Sequence, residues 1–225
     1  MSCKIKICGL TNLDDINLIA QAGADYGGLL VNIDSPRGVT LEDAQRLSAD
    51  MPLPLVAVTM NEEAAYILRV AELLKPTALQ LHGAESPETV SLLKQETRAE
   101  IWKVIHLPAC DDGTAPELDQ ILKKIAPYQE AGADRILIDA KAVVAGVAQM
   151  GGTGKTVDWN AARVLRKALA LPLVLAGGVK PGNAAEAVSS VKPYAIDVSS
   201  GVEQEKGKKD PAKVHALIEA VRGAE

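Results

Sequence analysis

"LPLVLAGG", residues 171–178, is an aliphatic run of strand length that ends in two glycines. Such a run reads as a strand buried on both faces, the kind found in parallel sheets. Comparable runs recur along the whole chain: "KIKICGL" (4–10), "YGGLLV" (26–31), "LPLVAVT" (53–59), "TALQLH" (77–82), "IWKVIH" (101–106), "RILIDA" (135–140) and "YAIDVSS" (194–200). Between them lie amphipathic patterns such as "NLDDINLIAQAGA", "NEEAAYILRVAELL" and "DWNAARVLRKALA". The last helix opens "DPAKVHALIEAV", with Asp210 as N-cap and Pro211 at the first helical position. Eight strands, each followed by a helix, predict a (β/α)8 TIM barrel, an α/β fold, as a single domain over residues 1–225. A doubly wound open sheet is the structural alternative. "AGAD" occurs at 22–25 and again at 131–134, an echo consistent with a half-barrel repeat. "AKAVVAGVAQM" (140–150) reads as a long connection after strand six.

The chain has 225 residues, 48% of them hydrophobic and 24% charged, as in an ordinary soluble globular protein. Aromatics are 3% and Phe is absent, so the core must be aliphatic. A net charge of −5 argues against a nucleic-acid partner. No apolar stretch reaches the ~18 residues of a membrane span, and "MSCKIKICGL" lacks a signal peptide's apolar region. The expectation is a cytoplasmic protein with no membrane partner. Cys3, Cys8 and Cys110 read as free thiols; Cys3 and Cys8 would share one strand and point to opposite faces. His82, His106 and His215 show no metal-ligand spacing, so no metal is expected.

Strand parity sorts the candidates for chemistry. Ile5 and Ile7 suit the helix-facing layer, which aims Lys6 and Cys8 into the barrel. By the same alternation Gln80 and His82 point inward from strand four, Asp139 from strand six, and Asp197 and Ser199 from strand eight. Polar groups in a lumen normally packed with Val, Ile and Leu require an explanation, and barrel enzymes keep their chemistry at the carboxyl ends of the strands. Cys8 alone reads as a small buried hydrophobe; beside Lys6, its pKa is expected to fall toward neutrality, giving a thiolate base. Asp139 ends an apolar run, where it could cap or pair; partly desolvated, it would have a raised pKa and could donate a proton.

Three Gly-rich turns follow strands six, seven and eight: "GGTG" (151–154), "AGGVKPGN" (176–183) and "SSGVE" (199–203). Gly152, Thr153, Gly154, Gly177, Gly178, Ser199, Ser200 and Gly201 are the candidates for a backbone phosphate cradle at the barrel rim. "MGGTGKT" (150–156) imitates the end of a nucleotide-binding P-loop, but that motif needs a glycine where Gln149 stands. Arg37, in "SPRG" (35–38), sits on the same rim and is a candidate clamp for a substrate carboxylate. His82 is the other candidate substrate contact.

Together these motifs resemble the phosphoribosylanthranilate isomerase family of tryptophan biosynthesis. The resemblance runs through "KICGLT" (6–11, with Lys4 and Ile5 before it), "DSPRGV" (34–39), "LQLHG" (79–83), "LIDA" (137–140), "GGTGKTVDW" (151–159), "LAGGVKPGN" (175–183) and "DVSSGVE" (197–203). It implies an Amadori rearrangement of N-(5-phosphoribosyl)anthranilate without a cofactor, by a monomer or homodimer whose partner is the small phosphosugar-anthranilate substrate. It also implies that Cys8 is the general base, Asp139 the general acid and Arg37 the holder of the anthranilate carboxylate. The chain departs from the family where "VNID" (31–34) lacks the usual aromatics, where Gly38 replaces a larger residue, and in the longer 140–150 connection. Two other readings are a related barrel isomerase, such as one acting on ProFAR, where a carboxylate would stand at strand one, and a non-catalytic phosphate-binding barrel.

Overall fold

The computed structural model describes residues 2–109, 116–144, 147–150 and 156–224. Within them, strands and helices alternate as β1 Lys4–Cys8, α1 Leu13–Ala22, β2 Tyr26–Val31, α2 Leu41–Ser48, β3 Leu55–Thr59, α3 Ala64–Leu74, β4 Ala78–Leu81 and α4 Pro87–Glu96. The second half continues as β5 Glu100–Pro108, α5 Leu118–Glu130, β6 Arg135–Val144, α6 Trp159–Ala168, β7 Leu173–Leu175, α7 Pro181–Val191, β8 Ala195–Val198 and α8 Pro211–Arg222. Each of these strands pairs in parallel with the next. β8 then pairs with β1, Lys6 opposite Asp197, and the sheet closes. The fold is the expected (β/α)8 barrel, and an open sheet is excluded by that last pairing.

Local chemistry starts the helices. Side chains of Asn12, Thr40, Ser86, Asp158 and Asp210 accept N–H groups from the first turns of α1, α2, α4, α6 and α8. Each such cap is worth about 1 kcal/mol. Strand alternation then splits the core in two. Ile5, Ile7, Leu29, Leu79 and Ile101 pack against the helices. Val56, Val58, Trp102, Val104, Leu137 and Val174 fill the lumen with Cys8. Cys3 falls in the outer layer and Cys8 in the inner one, as their spacing predicts; Cys110 lies outside the described residues.

The "AGAD" echo is structural. Gly23 and Gly132 both take left-handed backbone, at φ 97° and 94°. Asp25 then accepts the N–H of Ile5 on β1 (2.9 Å), and Asp134 that of Ile101 on β5 (2.7 Å). The two turns are therefore four strands apart, before β2 and before β6, and close the amino-terminal ends of equivalent strands.

Two departures from expectation also have local causes. Residues 140–150 are not a plain connection: β6 continues to Val144 and pairs antiparallel with Val147–Met150. The 31–39 segment folds back on its own strand. Asn32 is left-handed (φ 56°) and its N–H donates to Val39 O, the Gly38 N–H donates to Ser35 O, and Gly38–Val39 pair beside β2. A Cβ at residue 38 would lie 2.0 Å from Ile33 O, so this tight loop accepts only glycine there.

Candidate active site

The loops at the carboxyl ends of the strands enclose a cavity of about 340 Å³, lined among others by Cys8, Arg37, Gln80, His82, Asp139 and Asp197. Gly177, Gly178, Ser199, Ser200 and Gly201 line the same cavity. Gly152, Thr153 and Gly154 fall outside the described residues. Cys8, His82 and Asp139, aimed inward by strand parity, thus meet Arg37 and the two described glycine turns at one cavity.

Along the lumen a hydrogen-bonded chain connects β8, β1 and β4 and ends close to Asp139 on β6. The fully buried Lys6 donates to Asp197 Oδ2 (2.7 Å) and to Gln80 Oε1 (2.9 Å). Gln80 Nε2 contacts His82 Nδ1 (3.2 Å), and His82 Nε2 stands 3.6 Å from Asp139 Oδ2. Burial works against the Lys6 ammonium, but Asp197 and Cys8 hold its pKa above the ordinary lysine value. Burial pushes the Asp139 carboxyl up to about 7; Asp197 adds to this, while the Ala140 N–H and Lys6 oppose it. Asp139 thus has the raised pKa that the sequence predicts for a desolvated carboxyl. Burial, with the nearby His106 and Lys6, drops His82 to about 3, so its ring is neutral.

Cys8 corrects an expectation. Burial pushes its thiol above the ordinary value, and the charge of Asp197 pushes in the same direction. Lys6 does pull downward, but that ammonium is already paired with Asp197 and cannot offset the desolvation. The ligand-free thiol is therefore a poor thiolate source at neutral pH.

Arg37 lines the cavity but is buried and already paired: Nε and Nη2 donate to the two carboxylate oxygens of Glu203 at 2.8 and 2.7 Å. Glu203 also accepts from Lys209 Nζ (3.0 Å), and Lys209 Nζ donates to Cys8 O (2.7 Å). Burial opposes the Glu203 carboxylate, yet Arg37 and Lys209 together keep its pKa below the usual range. Sequence reading takes 199–203 as a glycine turn and so misses Glu203. Lys209 carries no motif that would flag it.

The cavity floor holds polar atoms awaiting a partner. Asp197 Oδ1 and Ser199 Oγ are buried without a hydrogen bond among the described residues. The N–H groups of Gly177 and Gly178 likewise donate to no described residue. The loop after β8 is pressed against the loop after β7, since a Cβ on Gly201 would lie 2.1 Å from Val179 O. Unpaired donors beside closely packed glycine backbone suit a phosphate. The structure also gathers His82, His106 and Asp139, whose ligand atoms lie within 4.8 Å of one another, a trio that chain spacing did not reveal.

A family model described as N-(5'phosphoribosyl)anthranilate (PRA) isomerase matches residues 5–220. The chain belongs to that family. Within the N-(5'-phosphoribosyl)anthranilate isomerase family, the protein of Rhodopseudomonas palustris (strain BisB5) is 40% identical over 227 residues, covering 100% of this chain and 98% of the relative. Monomers of the dimeric enzyme from Thermotoga maritima superpose with a TM-score of 0.80 at 34% identity, over 98% of this chain and 99% of theirs. A family structure in complex with reduced 1-(o-carboxyphenylamino)-1-deoxyribulose 5-phosphate gives a TM-score of 0.79 at 31% identity, over 98% and 99%. Among the described residues no helix is long and apolar enough to cross a membrane.

Proposed function

We propose that this isomerase rearranges N-(5'-phosphoribosyl)anthranilate to 1-(2-carboxyphenylamino)-1-deoxyribulose 5-phosphate with Asp139 as general acid and Cys8 as general base. The observation that carries the assignment is the pair itself: a buried carboxyl with a pKa near 7 on β6 and a buried thiol on β1, facing one cavity. Asp139 protonates the ribose ring oxygen. The C1–O bond of the ring breaks as the anilino nitrogen lone pair forms the iminium. The iminium acidifies the C2 proton, which Cys8 removes as thiolate; the C–H electrons become a C1–C2 double bond and neutralise the nitrogen. The enolamine then takes a proton at C1 and loses one from its C2 hydroxyl, leaving the ketone. No atom is gained or lost.

The remaining contacts follow from complementarity. Two of Arg37's five N–H donors are given to Glu203, and the others hold the anthranilate carboxylate, in a position fixed by the Glu203 fork. Gly177, Gly178, Ser199, Ser200 and Gly201 cradle the phosphate. Asp197 Oδ1 accepts a sugar hydroxyl. The test is turnover of the phosphoribosyl substrate by the parent and by Cys8→Ala. The parent should convert it, and the variant should lose ~10²–10⁴ in turnover while its circular dichroism is unchanged. Undiminished turnover in Cys8→Ala would remove the thiol from the mechanism.

A further inference from the structure

Gln80 belongs to no motif that assigns it a role, yet it occupies the middle of the buried chain. Its orientation is forced. Lys6 has three N–H donors and no acceptor, so the atom of Gln80 that faces Lys6 Nζ at 2.9 Å must be the oxygen. The amide N–H therefore faces His82 Nδ1 at 3.2 Å, and that nitrogen must accept. A neutral imidazole has one proton, which leaves it on Nε2, the nitrogen 3.6 Å from Asp139 Oδ2. His106 holds the ring from the other side: its Nε2 donates to His82 O (3.0 Å), and the two rings meet edge to face at 5.1 Å. Asp139 Oδ1 is occupied by the Ala140 N–H, so Oδ2 is the oxygen that carries and gives up the proton.

We propose that Gln80, clamped by Lys6, is a positioning residue that locks His82 in its Nε2–H tautomer, so that the carboxylate left by Asp139 on proton delivery meets an N–H donor. This rests on the acid role of Asp139 proposed above. Two donors face each other while Oδ2 is protonated, and a spacing of 3.6 Å suits that state. The contact tightens to a charge-assisted hydrogen bond when the proton leaves. The same lock opposes a metal on the His82–His106–Asp139 trio. Metallation at Nε2 would drive the proton to Nδ1, directly against the Gln80 N–H.

The charges around the pair are Lys6 on β1, His106 and Lys103 on β5, and Asp197 on β8. Any test must hold these constant. ¹⁵N NMR of the imidazole in the parent protein should find Nε2 protonated and Nδ1 bare on both sides of the Asp139 transition. A proton on Nδ1 overturns the proposal outright, with no variant needed. Gln80→Glu keeps an oxygen for Lys6 but can only accept from His82, so the tautomer should invert. Inversion removes the donor from Asp139 and raises its midpoint, read by ¹³C NMR of its carboxyl. The substitution also adds a negative charge, and Gln80→Glu in a His82→Phe background isolates that contribution. The upward shift must be larger with His82 present than in the His82→Phe background. Equal shifts, or an uninverted tautomer, sink the lock. None of these signals depends on turnover, so failure of the isomerase mechanism would be seen separately in the substrate assay.

Discussion

The two ends of the barrel each carry polar networks, half-buried at the amino-terminal end and buried at the carboxyl-terminal end, and they differ in how far those networks are satisfied. At the amino-terminal end, Asp25 and Asp134 each take a strand N–H and a lysine, Lys4 and Lys94. Trp102 Nε1 and Arg135 Nη2 share the Glu100 carboxylate, Tyr26 and Tyr194 bond through their hydroxyls, and Arg135 stacks 4.0 Å from the Tyr194 ring, although Arg135 Nε itself is buried without a hydrogen bond among the described residues. At the carboxyl-terminal end, Asp197 Oδ1, Ser199 Oγ and two glycine N–H groups have no protein partner among the described residues, and Asp139 is held near neutral pKa. The first end holds strands in register. The second keeps unmet hydrogen-bonding capacity for a ligand, at a cost in stability that its neighbours absorb.

That contrast is most sharply broken by exchanging one carboxyl for an amide at each end. Asp139→Asn should lower kcat by ~10²–10⁴ with a melting temperature near the parent's, because Asn keeps the shape and loses the proton. Asp134→Asn should do the reverse, costing roughly 1–3 kcal/mol of stability and leaving kcat of the folded fraction unchanged. Denaturant titration and steady-state kinetics on both variants decide it. A catalytic loss from Asp134→Asn of the same size would erase the distinction between the two ends.

The pH profile gives the next effect. On the proposed roles, the acid has a pKa near 7 and the base lies above the ordinary thiol value, so the active form, protonated Asp139 with Cys8 thiolate, is the minor tautomer of the singly protonated pair. It has the same proton count as ionised Asp139 with a neutral thiol. kcat/KM should therefore rise with pH through about 7, where Asp139 titrates, and fall only above the Cys8 pKa. His82, near 3, contributes no limb in this range. An optimum below pH 7 would contradict the assignment. Smallest is Arg37→Lys: it should raise KM more than it lowers kcat, since an ammonium cannot reproduce the fork to Glu203 and still reach a carboxylate. A kcat loss with unchanged KM would move Arg37 from binding to chemistry.

Much of this is legible without the structure. Alternation in "KIKIC" and "RILID" depends only on strand geometry, so Lys6, Cys8 and Asp139 can be aimed correctly from the sequence. Gln80, His82 and Asp197 follow from the same rule. What escapes depends on long-range pairing. Glu203 meets Arg37 across 166 positions, and nothing local to "SSGVE" announces it. The thiol's pKa is misjudged because the sequence shows the neighbouring lysine but neither the burial that pushes the thiol up nor the ion pair with Asp197 that occupies the ammonium. The glycine at 38 reads as an anomaly until the 2.0 Å approach to Ile33 O gives it a cause.

Lys209 has one further consequence. Its ammonium holds the carbonyl of Cys8 from 201 positions away, and β1 closes against β8 just before it. The ribosome makes the strand that carries Cys8 well before the two things that hold it in place, Lys209 lying 201 positions further on. A nascent chain short of residue 195 carries Cys8 on a strand with one sheet edge open, and one short of residue 209 still leaves its carbonyl unclamped, so the surroundings of the thiol are completed only after both β8 and Lys209 have been made.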